Sequence, residues 1–373
     1  MTPAIIDRRC LPKGRRILVI SDIHGNLSYL RALLEKAQYL PGKDVIILCG
    51  DMLEKGPQSL QTLRYIMRLA AEGEVYPLLG NCDGWHTLLR SHGEELDFHT
   101  RDYILHGNRV DQGPPLLRQM CQEMGFPLTD DMDMEALRVE LATHFAPELD
   151  FLASLPHVIE TEHYTFVHGG LPEGESENWD AYRCMKNDAF MQQGRRFDKW
   201  VIVGHWPVML YREDITCANP IIDRESRIIS IDGGNVLKDD GQLNALVIPY
   251  DGSEDFSHIA YDPFPVFHAR EAQEGSKKSI YVRWGDNLVR VLARGAEFSR
   301  VRHERTGYTL DVLSKYLYGT EEVVRCNDCT DYVLPVKKGD ALSIVEKTSR
   351  GYLAKLDGVS GWYFGKLQEE EQE

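Results

Sequence analysis

The chain has 373 residues, more than one hydrophobic core usually organises, and its 43% hydrophobic and 27% charged content is ordinary for a globular protein. Asp and Glu number 58 against 42 Lys and Arg, and the net charge of -16 repels phosphate backbones, which sets nucleic acid aside as a partner. Met1 to Arg9 lacks the apolar core of a signal segment and no later window reaches the length of a membrane span, so the expectation is a cytoplasmic protein with no membrane partner.

Arg16 to Ile20 is a β-rich apolar run ending at Ser21-Asp22-Ile23-His24-Gly25, and Leu27 to Leu40 follows with Leu30, Leu33, Leu34 and Ala37 at helical spacing. Asp44 to Cys49 reads as a buried strand ending at Gly50-Asp51. Gln58 to Ala71 reads as a helix, and Val75 to Leu79 as a strand ending at Gly80-Asn81-Cys82-Asp83. Strands alternating with helices predict an α/β fold with a mainly parallel sheet whose loops at one edge carry function.

From about Trp85 to Leu155 the strand signal gives way to polar helical stretches, a helical insertion expected to cap the site. Strands return at Tyr164 to Val167, before His168-Gly169-Gly170, and at Trp200 to Val203, before Gly204-His205. Further strands are expected at Arg227 to Ile231 and Leu243 to Pro249. Beyond Tyr261 to Pro265 the character changes, with a linker at Arg270 to Lys278, a helical stretch, and short β segments at Leu342 to Lys347, Gly351 to Leu356 and Gly361 to Leu367. The expected boundaries are a catalytic domain over 1–265, a linker and helical stretch over 266–300, and a small β-barrel-like module over 301–373 that ends in a solvated acidic tail, Glu369 to Glu373. The 8 cysteines read as reduced thiols, and Cys326 and Cys329 form a CxxC without the second pair that a zinc knuckle needs.

The residues at the five strand ends are of the types that two-metal phosphoester hydrolysis requires. That chemistry needs a nucleophile made from water and neutralised phosphoryl charge, and two cations roughly 3.5–4 Å apart supply both. Asp22 and His24 can meet one ion, Asp51 has two oxygens and can bridge both, and Asn81, His168 and His205 can complete the second site. This mix of hard oxygens and imidazoles suits two divalent ions, Mn first with Fe or Zn as alternatives, better than Ca. Each motif alone is weak; their joint occurrence in order, each after a strand, carries the reading.

SDIHG, GDMLEKG, GNCD, VHGGLP and GHWP match in order the DxH, GDxxxxG, GNH(D/E), HG and GH motifs, so the chain resembles the calcineurin-like metallophosphoesterase superfamily over roughly residues 15 to 250. FLASLP leading into FVHGGLP, and ISIDGG followed by LNAL, are similar to its branch of phosphoprotein phosphatases and diadenosine tetraphosphatases. The resemblance implies a four-layer α/β-β/α sandwich of two mixed sheets, with Asp22, His24, Asp51, Asn81, His168 and His205 as metal ligands. It also implies in-line attack on phosphorus by a metal-bridging hydroxide.

Three departures bear on the substrate. Cys82 stands where the branch has a proton-donating histidine held by the following acid, here Asp83; a thiol with pKa near about 8.5 is a poorer donor, and His86 is an alternative. Lys55 replaces a phosphate-binding arginine and lacks its bidentate fork. The branch's later phosphate-binding arginine has no clean match, leaving Arg183 and Lys186 as candidates beside Asn81. The expected catalytic residues are thus Asp51, Asp83 and Cys82.

KKGDALSIVEK, GYLAKL and GVSGWYFGKL resemble bacterial SH3-like domains, which implies a peptide or protein partner if Trp362 and Tyr363 are ligand anchors rather than core. The leading expectation is a Ser/Thr phosphoprotein phosphatase. The alternatives are a hydrolase of dinucleoside polyphosphates or phosphodiesters, and a binding protein with a degraded site that acts through the SH3-like module.

Overall fold

In the computed structural model, which describes residues 2–107 and 112–368, each apolar run before a motif forms a strand. Two units separate: Met1–Trp206 with Pro220–Val236 and Gln242–Tyr261, and Pro207–Asn219 with Leu237–Gly241 and Asp262–Glu373. No helix among the described residues is long and apolar enough to cross a membrane.

The first unit carries β1 (Ile6–Arg8), β2 (Ile17–Ile20), α1 (Leu27–Lys36), β3 (Val45–Cys49), α2 (Ser59–Glu72), β4 (Val75–Leu78), α3 (Glu94–His106), α4 (Leu116–Met124), α5 (Met134–His144), α6 (Ala146–Ser154), β5 (Val158–Glu160), β6 (Tyr164–Val167), α7 (Ala181–Met185), β7 (Trp200–Val203), β8 (Ile221–Asp223), β9 (Ile228–Ser230), β10 (Leu243–Ile248) and β11 (Ser257–Tyr261). Two mixed sheets result, ordered β11-β10-β2-β3-β4 and β1-β5-β6-β7-β9-β8. In the first, β2, β3 and β4 run parallel and β10 closes antiparallel on β2. In the second, β6, β7 and β9 run parallel.

Every residue of β2 and β3 is buried, as expected for strands covered on both faces. Alternation along β2 then divides its side chains. Ile17 and Val19 join a cluster with Ile47, Tyr164, Phe166 and Ile202, drawn from both sheets, whereas Leu18 and Ile20 join Leu30, Leu33, Leu60 and Leu63 of α1 and α2. Removing one such side chain, as in Ile47→Ala, costs about 2–5 kcal/mol. Helix α1 stops four residues short of the expected Leu40: Gln38 turns left-handed (φ 50), and the Tyr39 N–H closes onto the Leu34 carbonyl at 3.0 Å.

The stretch from Trp85 to Leu155 is helical, with α3 to α6 following a short 3-10 turn, Gly84–Arg90; positions 108–111 lie outside the described residues. Asp133 caps α5 by accepting from the N–H groups of Glu135 (2.9 Å) and Ala136 (3.1 Å).

The second unit contains β12 (Val266–His268), β13 (Tyr281–Val282), β14 (Leu288–Ala293), β15 (Phe298–His303), β16 (Thr309–Leu313), β17 (Leu317–Gly319), β18 (Val324–Cys326), β19 (Cys329–Thr330), β20 (Ala341–Lys347), β21 (Tyr352–Leu356) and β22 (Val359–Tyr363). They form sheets ordered β12-β20-β21-β22, β13-β19 and β16-β15-β14-β18-β17. The helical stretch expected within 266–300 is corrected here: its described residues form β12, β13, β14 and the start of β15, with no helix. Leu and Arg in LVRVLAR favour a helix locally, but Val289 turns inward between exposed Leu288 and Arg290, and that period of two joins β14 to β15. Trp362 and Tyr363 are buried, in core positions. The expected acidic tail, Glu369 to Glu373, lies outside the described residues.

Candidate metal centre

The loops after β2, β3, β4, β6 and β7 bring the five motifs together. Main-chain hydrogen bonds knit the first two: the N–H groups of Asp22 and His24 donate to the carbonyls of Gly50 (3.1 Å) and Asp51 (2.9 Å). Asp22 (φ 56), His24 (φ 49), Asp51 (φ 48) and His205 (φ 65) all take left-handed backbone conformations. Such conformations cost non-glycine residues on the order of 1–3 kcal/mol each, and here they turn four candidate ligands towards one place. Glycine is required at position 80, where a Cβ would lie 2.1 Å from the Asp51 nitrogen and 2.3 Å from its Oδ1. A Cβ at Gly204 would lie 2.4 Å from Asp22 Oδ2.

Asp51 occupies the centre. Its Oδ1 is 3.2 Å from His168 Nε2 and its Oδ2 is 3.9 Å from His24 Nε2, which also faces Asp22 Oδ1 at 3.8 Å. The Cys82 N–H donates to Asp51 Oδ1 at 2.8 Å. Donor atoms of three or more His, Cys, Asp or Glu residues converge within 4.8 Å in two groups among the described residues: His24, Asp51 and Cys82, and Asp51, His168 and His205. Asp51 belongs to both.

The fit to cations rests on unpartnered polar atoms. Asp22 Oδ1, His24 Nε2, Asn81 Oδ1 and His168 Nε2 are buried without hydrogen-bond partners. Burial without a partner is costly for such groups. The other nitrogen of each of these imidazoles faces a peptide carbonyl, His24 Nδ1 that of Leu53 at 3.3 Å and His168 Nδ1 that of Cys49 at 2.8 Å. A carbonyl can only accept, so Nδ1 carries a hydrogen in both rings and Nε2 is the atom left to ligate metal, as it stands in His24 and after loss of its proton in His168.

Burial is the largest influence on every ionisable group here. It pushes Asp22 up to about 6 and Asp83 up to about 7, both helped by the Asp51 charge. It lowers His24 to about 3 and His205 to about 4, and holds the Cys82 thiol well above its ordinary value. For two groups mutual attraction overrides burial: beside Asp51 and Asp22, His168 is raised to about 10, and beside His168 and His24, Asp51 is held well below the usual carboxylate range.

The remaining expected residues separate by position. Lys55 is half-buried and faces Cys82, Asp51, Asp22 and Asp232, whose combined field outweighs burial and raises its pKa. Asp83 spends both oxygens on main-chain donors, Oδ2 on Gly80 N–H (2.9 Å) and Oδ1 on Leu53 N–H (3.1 Å), so it braces two motif loops against each other. Asn81 Nδ2 contacts Cys82 Sγ at 3.4 Å. Exposed Lys186 reaches the site through Asp188, 3.4 Å away. Arg183 is exposed, and its side chain forms no ion pair or hydrogen bond among the described residues. His86 interacts with His157.

Four residues had no assigned role in the sequence reading. Asn235 donates to the carbonyls of Asp22 (3.1 Å) and Ile23 (3.0 Å). Asp232, in the IDGG stretch, is buried with Oδ2 unpartnered. Glu54, inside GDMLEKG, accepts from the Tyr103 hydroxyl (2.7 Å) and the Leu116 N–H (2.9 Å), tying that loop to α3 and α4. Asp188 lies 2.7 Å from His205 Nε2. An acid beside Lys55 in a glycine-bounded loop was a readable signal for Glu54; Asp188 had none.

A model of the family described as calcineurin-like phosphoesterase matches residues 15–223. Two relatives named symmetrical bis(5'-nucleosyl)-tetraphosphatase are similar over part of the chain. The protein from Photorhabdus laumondii is 46% identical over 65 residues, 17% of this chain and 23% of its own length. That from Shewanella loihica is 42% identical over 85 residues, 23% of this chain and 30% of its own length. The match thus spans less than a third of these relatives. Among solved structures, a proposed diadenosine tetraphosphatase is 19% identical at a TM-score of 0.44, covering 70% of this chain and 99% of that one. A protein serine/threonine phosphatase from Saccharomyces cerevisiae is 11% identical at a TM-score of 0.42, covering 71% and 85%.

Proposed function

The chain belongs to the calcineurin-like phosphoesterase family, and on that premise we propose that it is a phosphoester hydrolase working with two divalent metal ions. The observation that carries the reading is the pair of ligand groups sharing Asp51, lined by buried atoms that have no protein partner. Asp22, His24 and Asp51 would hold one ion, and Asp51, Asn81, His168 and His205 the other. Manganese is the favoured metal. Bound there, such ions supply an activated water and neutralise charge on the phosphoryl oxygens. The chain's own part is to hold Asp51 ionised, to keep Nε2 of His24 and His168 directed inward, and to set the Lys55 ammonium where it attracts a phosphate. We read the two sheets of the first unit, with helices outside the first, as the family's α/β-β/α sandwich.

Position 82 directs the substrate choice. A half-buried thiol whose pKa is raised well above its ordinary value by desolvation is far from the neutral range in which a general acid works best. An alkoxide leaving from a Ser or Thr ester needs that proton; a nucleotide phosphate leaves without it. We therefore place a dinucleoside polyphosphate ahead of the phosphorylated protein expected from sequence, a choice that the names of the two relatives support. The test is a panel with manganese: diadenosine tetraphosphate, an aryl monoester, an aryl diester and a phosphoserine peptide. Preference for the peptide would reverse the choice, and turnover of none would remove the enzymatic reading in favour of a binding protein.

For the second unit the proposal is limited to an SH3-like fold. Trp362 and Tyr363 are buried and offer a peptide partner no exposed anchor.

A further inference from the structure

We infer that Asp188 is a positioning residue for His205, setting which imidazole nitrogen is free to meet a cation. The inference rests on the metal-dependent reading above. Asp188 Oδ1 lies 2.7 Å from His205 Nε2, and a carboxylate on that nitrogen places the ring hydrogen there and leaves the lone pair on Nδ1. His24 and His168 are tied the other way, each through Nδ1 to a peptide carbonyl. All three imidazoles thus have one nitrogen held and one released. For His24 and His168 the holder is main chain, which substitution cannot remove; for His205 it is a side chain.

The local fold explains how Asp188, 17 residues before His205, arrives there. Gly169 and Gly170, directly after His168, donate their N–H groups to the Cys184 carbonyl at 2.8 and 3.3 Å. A Cβ on Gly169 would meet Asn187 N at 2.7 Å and Met185 O at 2.8 Å, so only glycine lets the segment after α7 lie against the motif. Ala189, left-handed at φ 52, then turns the chain away and leaves Asp188 beside the ring. The His205 main chain is fixed independently, its N–H donating to Asp22 Oδ2 at 3.1 Å. What remains free without Asp188 is rotation and tautomer of the ring. The same Asp188 oxygen lies 3.4 Å from Lys186 Nζ, so one carboxylate connects a candidate ligand with a candidate phosphate-binding cation.

The experiment compares Asp188→Ala, Asp188→Asn and His205→Ala in the full chain, reading manganese affinity by competition with a chelator and, in metal-free protein, the His205 ring by nitrogen chemical shifts. Loss of a partner that orients a metal-binding histidine lowers affinity about 10–100-fold, and that fall is expected for one of the two ions in Asp188→Ala. The Nδ1–H tautomer should appear at the same time. Asp188→Asn, whose amide oxygen can still accept from Nε2–H, should keep the tautomer and most of the affinity. If Asp188→Ala retains wild-type affinity and tautomer while His205→Ala loses one ion, the positioning role is wrong and the metal reading stands. If His205→Ala binds two ions like the wild type, the metal reading itself fails and takes this inference with it.

Discussion

Asp51 Oδ1 lies 3.2 Å from His168 Nε2, and that one contact sets opposite charges on two fully buried groups. The carboxylate is held ionised and the imidazole raised to about 10 by Asp51 and Asp22 against its own burial. Without a cation the proton on His168 balances the acids, so loading and deprotonation are linked.

Loading with manganese should therefore release about one proton per chain at pH 7 to 9, because His168 must give up its proton before Nε2 can ligate. The sign follows from the shift: raised from 6.5 to about 10, His168 is protonated in the metal-free protein across that range. Apparent affinity should rise with pH, about tenfold per unit, and level off above pH 10. Calorimetry in two buffers of different ionisation enthalpy measures the release. His24, lowered to about 3, is already neutral and should contribute none.

Asp51→Asn should lower manganese-supported hydrolysis of diadenosine tetraphosphate on the order of 10²-fold or more, since an amide offers one neutral oxygen where a shared carboxylate offers two charged ones. Turnover near wild type would remove Asp51 from its central role.

Gly80→Ala should destabilise the protein by about 1–3 kcal/mol, as overpacking does, seen as a lower thermal midpoint. The added methyl would sit 2.3 Å from Asp51 Oδ1, so metal affinity should fall with it. Gly125→Ala, at positive φ (71) with nothing within 4 Å of its Cβ, measures backbone strain without a clash, whereas Gly80 is not at positive φ and its cost comes from the clash.

Cys82→Ala should change turnover of diadenosine tetraphosphate by far less than the roughly 10²–10⁴-fold that a general acid supplies. A loss within that range would make the thiol a proton donor after all and would reopen the phosphoprotein reading.

Much of the site was legible because its residues sit where apolar runs stop. Burial on both faces made β2 and β3 uninterrupted apolar runs, and Asp22, Asp51, Asn81, His168 and His205 follow their strands within three residues. Asp188 was not legible: it lies in an exposed, irregular segment, and its relation to His205 depends on Gly169 packing against Met185 and Asn187. Asp83 was assigned to catalysis from its neighbour, yet both its oxygens are taken by main-chain donors, which no spacing reveals. In the second unit LVRVLAR was misread because its helix-favouring composition hid a short alternation that only pairing with β15 makes decisive. Short strands such as β1 have the same origin, since Ile6–Arg8 is a strand through its parallel partner β5.

Manganese stoichiometry and coupling test the shared carboxylate most directly. The purified 373-residue chain, stripped and reloaded, should bind two manganese ions per chain and show the electron paramagnetic resonance spectrum of an exchange-coupled pair. One ion, none, or two ions with independent spectra would contradict a site in which Asp51 belongs to both.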